Sequence, residues 1–362
     1  MGRVALTAGE HTVRLGKGWG WFSVDRIIFL PRRVVTPKPP KGGLCDPEAT
    51  PEARALFAWL KSQYGRRIVT GQQLGGQSDL DHIAAVAGRQ PALRGYDFMD
   101  YSPSRRERGA DPGAMTESAI EWGRQGLVTL SWHWNAPAGL IDQPGKEWWR
   151  GFYSSATTFD LAAALADPSS AEYALLLRDM DAIAEELRKL EHAGVPVLWR
   201  PLHEASGQWF WWGARGPEAF TRLWRLMHHR FTREHHLHNL IWVLSNGPSD
   251  RAWYPGDDVV DVVGWDQYKG GGTRAAVGGA EWEALRAQFG RRKLLAMTEN
   301  GTVPDPDDMR ALQVRWLWFC TWGGMVGDPQ WNTEADVAEA FQDAEAIVLD
   351  DLQRCGWPPV AR

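Results

Sequence analysis

Residues 195–213 read Val-Pro-Val-Leu-Trp-Arg-Pro-Leu-His-Glu-Ala-Ser-Gly-Gln-Trp-Phe-Trp-Trp-Gly. An apolar β-type run ends in His203-Glu204, an aromatic cluster follows, and Pro217–Glu234 then reads as a helix opened by a proline in its first turn. Strand, polar tip and helix in that order form the βα unit of a parallel sheet.

Outward from Val197–His203, seven more runs of the same kind flank it: Ile68–Gln72, Ala92–Asp97, Leu127–His133, Leu240–Ser245, Val259–Asp266, Lys293–Thr298 and Arg315–Thr321. Helical patterns fill the gaps, most clearly at Ala171–His192, whose apolar residues recur at helical spacing. Glu334–Asp350 reads as the eighth helix. Eight alternating units predict an α/β fold closed into a (β/α)8 TIM barrel. An open doubly wound sheet is the competing architecture, but no GxGxxG or Walker turn follows the first strand, so nucleotide binding is not indicated.

Ahead of the barrel, residues 11–30 read as two strands around a Gly-rich turn, and Pro31 to Gly43 is a linker by composition. A hairpin of that size buries too little surface to stand alone. The expected domains are therefore 1–33 as the tail of a β-rich module, 34–43 as a Pro-rich linker and 44–362 as the barrel. The first ten residues lack the apolar stretch of a secretory signal. That leaves a cytoplasmic protein, or a chain whose upstream part has been removed.

A formal net charge of −5 over 362 residues lacks the basic excess that phosphate-rich partners demand, so no nucleic-acid partner is expected. No run of about 18 apolar residues exists, and no membrane partner is expected. Three widely spaced cysteines, Cys45, Cys320 and Cys355, allow at most one disulfide and match no zinc spacing, so no metal is expected. The histidines at 228, 229, 235, 236 and 238 read as solvated surface, with no carboxylate or cysteine at ligand spacing. The count of 22 Trp exceeds what one core ordinarily needs. Indole faces suit the apolar C–H faces of sugar rings, so tryptophans beside carboxylates are binding candidates while most of the rest are expected in the core.

In a (β/α)8 barrel the chemistry sits at the C-terminal ends of the strands, where the βα loops converge. Glu204 ends the fourth candidate strand against the aromatic residues 209–212, a setting that desolvates a carboxyl and lets it hold a proton near neutral pH. The plainer alternative pairs Glu204 with Arg200. Glu299 ends the seventh strand, in Met-Thr-Glu-Asn-Gly, and the two glutamates would face each other across the barrel mouth. A pair about 5–5.5 Å apart implies glycoside hydrolysis with retention, and about 6.5–9.5 Å implies inversion. Other strand ends supply helpers. Tyr268 is placed to keep a nucleophilic carboxylate ionised and Trp322 to floor a sugar site, while His133, His203 and Asp266 fit either sugar contact or a supporting role.

Arg200 to Gly213, with Ser131-Trp-His-Trp134, Gly264-Trp-Asp-Gln-Tyr268 and Thr298-Glu299-Asn-Gly301, resembles glycoside hydrolase family 26, whose best-known members are endo-β-1,4-mannanases. The resemblance spans roughly residues 44–350. It implies a retaining mechanism with Glu204 as acid/base and Glu299 as nucleophile, and no cofactor. It also maps onto His203 the family's His before the acid/base, onto Tyr268 its Tyr near the nucleophile, onto His133 its strand-three His, and onto Trp322 and Trp209 the aromatic residues lining the site; these five and Asp266 are the expected substrate-binding set. Residues 9–29 look like the C-terminal end of a family 35 carbohydrate-binding module. The partner then expected is a β-mannan polysaccharide or manno-oligosaccharide, acted on outside the cell by a monomer. The same chemistry on β-1,3-xylan or mixed-linkage β-glucan, and a catalytically silent carbohydrate-binding barrel, are the alternatives.

Overall fold

Short, largely buried runs, most of them rich in Leu, Val, Ile and Trp, form the strands, as a parallel sheet sheathed by helices requires. The computed structural model describes residues 36–245, 251–269 and 274–357, with residues 7, 9–12 and 247. Its strands are β1 (Ile68–Val69), β2 (Gly71–Gln73), β3 (Leu93–Asp97), β4 (Leu127–Trp132), β5 (Val197–Pro201), β6 (Leu240–Ser245), β7 (Val262–Gln267) and β8 (Leu294–Asn300). Strands β2 to β8 lie side by side in sequence order, every neighbouring pair parallel.

The eighth expected strand, Arg315–Thr321, is a seam rather than a regular strand. It meets the sheet through single parallel bridges, Val69 to Trp318, Gln72 to Thr321 and Asn300 to Thr321. On one side the Val69 amide donates to Leu317 O at 2.9 Å and the Thr321 amide to Gly71 O at 3.1 Å. On the other, Leu317 donates to Leu295 O and Met297 to Trp318 O, each at 2.9 Å. Those bonds close the (β/α)8 barrel.

Three other expectations are corrected at their edges. Ile68–Gln72 divides at Thr70, because β1 turns outward to pair with β9 (Ala346–Ile347) while β2 continues the sheet. The helix expected over Glu334–Asp350 stops at Gln342. Asp343 leaves helical geometry at ψ 144°, which frees the following backbone to satisfy the β1 edge. The run Val197–His203 stops at Pro201, since Leu202 enters the left-handed region at φ 51°. Helix Ala171–His192 runs as expected, capped by the Ser170 side chain accepting from the Tyr173 amide, with Leu176, Met180, Ile183, Leu187 and Leu190 facing the core. The other clear helix occupies Gly216–His229 and ends in a π turn over Arg230–Glu234.

Of the N-terminal expectations, the hairpin falls outside the described residues except at residues 11 and 12. Linker residues Pro37 and Pro40 are buried, and Lys61 Nζ donates to Gly42 O at 2.8 Å, so this part of the linker lies against the barrel. All three cysteines are free thiols. No helix among the described residues is long and apolar enough to cross a membrane.

Candidate functional site

Strands β7 and β8 slip by one residue at their C-terminal ends. Trp265 pairs with Met297, but Asp266 pairs with Glu299, so the extra residue is Thr298. Such a bulge re-aims the side chains beyond it. Gly264 makes room for it, since a Cβ there would lie 2.3 Å from the Thr298 side chain. The Thr298 hydroxyl in turn donates to Asp266 Oδ1 at 2.7 Å.

Across the mouth, β5 contributes Arg200, buried and acting as the hub of the charge network. Its guanidinium donates to Asp266 Oδ2 at 3.0 Å, to Ser245 Oγ at 3.2 Å and to Glu299 Oε2. The Ser245 hydroxyl donates to Asp266 Oδ2 at 2.7 Å. Burial works against the Arg200 charge, but Asp266, Glu299 and Glu204 hold it protonated above its ordinary value. Glu299 is 4% exposed, and its second oxygen, Oε1, accepts from the Tyr268 hydroxyl. Burial pushes Glu299 above its ordinary value, and the Asp266 charge adds to that rise, while the Arg200 guanidinium and the Tyr268 hydroxyl oppose it. Tyr268 is kept protonated by its own burial and by the Glu299 charge.

Glu204 stands in a different setting. It lies in the left-handed region at φ 53°, in the turn directly after β5, and its amide donates to Ser245 O at 2.9 Å. Among the described residues its carboxyl touches no cation. The Trp209 indole N–H donates to Glu204 Oε2 at 3.1 Å, and a groove of about 200 Å³ opens beside the pair, lined also by Ser206, Trp265 and Asp266. Burial first, then the charges of Asp266 and Glu299, push the Glu204 carboxyl up to about 8. Of two carboxyls that feel each other's charge, the one without a guanidinium contact takes the proton.

The remaining expected residues gather at the same mouth. Trp209 is 48% exposed on the groove and Tyr268 39% exposed, with its ring 5.9 Å from Trp331. Trp322 is half-buried, its ring 5.7 Å from His133, and its amide donates to Asn300 O at 2.7 Å. His133 follows β4 and His203 follows β5, with their Nε2 atoms 3.1 Å apart. His203 is fully buried and held neutral, well below its ordinary value, first by burial and then by the neighbouring Arg200 charge. Asp266 is engaged by Arg200, Ser245 and Thr298, which leaves it little capacity for a ligand. Sequence reasoning passed over Arg200 except as a partner for Glu204, and it passed over Asp97 and Trp331. The signal for Arg200 was an arginine inside an otherwise apolar strand.

One expectation about the histidines is corrected. His229 and His236 are exposed, but His228, His235 and His238 are half-buried and partnered. His235 Nε2 lies 2.6 Å from Asp181 Oδ1, His238 Nδ1 lies 2.7 Å from Asp46 Oδ2, and His228 packs against the Trp242 ring and is pushed down to about 4 by burial. These partners are far away in sequence, which hid them from a reading by spacing. Among the described residues, no group of three or more His, Cys, Asp or Glu is arranged to hold a metal ion.

The sequence profile of Glycosyl hydrolase family 26 matches residues 45–351. A mannan endo-1,4-beta-mannosidase of Thermothelomyces thermophilus is 42% identical over 360 residues, covering 98% of this chain and 72% of that protein. Mannan endo-1,4-beta-mannosidase A of Piromyces sp is 33% identical over 371 residues, covering 97% of this chain and 58% of the relative. The crystal structure of a Podospora anserina GH26-CBM35 beta-(1,4)-mannanase superposes with a TM-score of 0.84 at 44% identity, covering 91% of this chain and 72% of that one. A beta-mannanase from a symbiotic protist of the termite Reticulitermes speratus, complexed with gluco-manno-oligosaccharide, gives 0.78 at 32% identity, covering 89% and 99%.

Proposed function

The chain belongs to glycosyl hydrolase family 26 and is a glycoside hydrolase, and from that premise we propose that it is a retaining endo-β-1,4-mannanase. Glu299 attacks C1 of a β-linked mannosyl unit as the bond from C1 to the glycosidic oxygen breaks, and Glu204 gives its proton to that oxygen. The glycosyl ester on Glu299 is then cleaved by water, whose proton returns to Glu204, and the sugar leaves with its β configuration. The observation that carries this reading is the unequal setting of the two glutamates. Glu299 meets a guanidinium and a phenolic O–H, which favour its anion, whereas Glu204 meets one indole N–H and sits pushed up to about 8.

Trp209 and Trp322 fit as walls for the sugar ring beside these acids, because their indoles flank the groove and the His133 edge. His203 and Asp266 act from behind, the first on the turn that carries Glu204 and the second on Arg200. Mannan as substrate is supported by the relatives above, and a polymer of that size supports action outside the cell. The domain reading, with a carbohydrate-binding module ahead of a linker at 34–43, stays part of this proposal. Reducing-sugar release from mannan and glucomannan exceeding that from xylan and lichenan is the expected result, with Glu299→Ala losing turnover while keeping its melting temperature. Preferential attack on xylan or lichenan would replace the substrate, and near-wild-type turnover by Glu299→Ala would reject the mechanism.

A further inference from the structure

Asp97, at the end of β3, has no place in the chemistry above, yet both its oxygens are fully engaged. Oδ1 accepts from the backbone N–H of Met99 at 2.8 Å and of His133 at 3.1 Å. Oδ2 accepts from His133 Nδ1 and from the Ser131 hydroxyl at 3.1 Å. Burial alone would raise this carboxyl, but the contacts with His133 bring it below its ordinary value, so it is an anion and an acceptor only.

That fixes the protons of two imidazoles in turn. His133 carries a hydrogen on Nδ1, facing Asp97, which leaves Nε2 as the nitrogen that can accept. His203 Nε2, 3.1 Å away, supplies the hydrogen between them. The other His203 nitrogen, Nδ1, is buried without a partner among the described residues, which suits a bare lone pair better than an N–H. Both His133 ring nitrogens are therefore occupied.

His203 stands between Leu202 at φ 51° and Glu204 at φ 53°, two side-chain-bearing residues in the left-handed region. Such a turn persists only where its surroundings hold it. Here the His203 carbonyl accepts from Trp212 Nε1 at 2.9 Å, and the His203 ring ties the turn to the end of β4 through His133. Resting on the assignment of Glu204 as acid/base, we infer that Asp97 is a positioning residue for it: by fixing the protons of His133 and His203, it locks the strained turn that aims Glu204 at the leaving oxygen.

Asp97→Asn keeps the shape and presents an amide N–H to His133 Nδ1. His133 must then carry its hydrogen on Nε2, against the Nε2 hydrogen of His203. The expected result is a loss of about 10²-fold in kcat on manno-oligosaccharides with KM little changed, and less than about tenfold on aryl β-mannosides with activated leaving groups, which need little protonation. Equal losses on both substrates would overturn the inference, since a merely structural defect ignores the leaving group. Glu204→Ala serves as the reference. If it shows the leaving-group dependence and Asp97→Asn does not, this inference alone fails; if it shows none, the acid/base reading fails as well. Nitrogen-15 NMR of the unsubstituted full chain supplies a check that needs no variant to fold. The expected tautomers are Nδ1–H for His133 and Nε2–H for His203, and the opposite pair overturns the inference.

Discussion

In the proposed mechanism Arg200 divides the labour between the two glutamates, because its guanidinium donates to Glu299 and makes no hydrogen bond to Glu204. The consequence for pH is one of sign. Glu204, pushed up to about 8 by burial and by the neighbouring acids, holds its proton below that pH and loses it above. An acid that must give a proton stops working as it ionises, so kcat/KM on manno-oligosaccharides is expected to fall as pH rises through about 8, whereas protonation of Glu299 closes the acid side. Measurement of kcat/KM against pH checks this; an alkaline limb near the ordinary glutamate range would contradict it. The two glutamates were legible in the sequence because each ends an apolar run with a carboxylate. Asp97 was not, since its partner His133 lies 36 positions away and only the neighbouring β3 and β4 ends bring them together. Asp266 was legible as a strand-end acid, but its three donors, which turn it toward Arg200, come from other strands.

At the scale of elements, the runs along β4 to β8 were readable because these parallel strands are mostly apolar and buried on both faces. The bulge at Thr298 was not, because pairing register depends on a partner strand and leaves no mark on composition. The seam over 315–321 likewise reads as a strand but pairs only at isolated bridges. Gly71 sits on that seam, where an added Cβ would stand 2.4 Å from the Phe319 carbonyl oxygen and 3.2 Å from Cys320 Cα. Backbone atoms have no rotamer to retreat into, so Gly71→Ala must part β2 from the closing segment. Overpacking of this kind costs about 1–3 kcal/mol, and the expected outcome in a thermal melt is a lower Tm than for the unsubstituted chain. An unchanged Tm would show that closure does not depend on this contact.

Over the whole molecule, the tryptophans among the described residues sort into two populations. Trp132, Trp134, Trp199, Trp211, Trp212, Trp224 and Trp242 are fully buried and pack the barrel, whereas Trp148, Trp149, Trp209, Trp322 and Trp331 keep exposed surface. Composition announced the surplus but not its division, which depends on which side of a βα loop each indole faces. Trp211 and Trp212 illustrate this: they follow Trp209 in the chain, yet their N–H groups donate to the buried carbonyls of Trp134 and His203 rather than to the groove. The barrel thus places two carboxyls in unequal settings at one mouth beside exposed indoles, and everything proposed about the reaction depends on their acting in sequence on one carbon. Proton NMR of the anomeric signals during the first minutes of manno-oligosaccharide cleavage tests this most directly. The β anomer is expected to appear first, with the α form growing only by mutarotation; initial release of the α anomer would contradict the account.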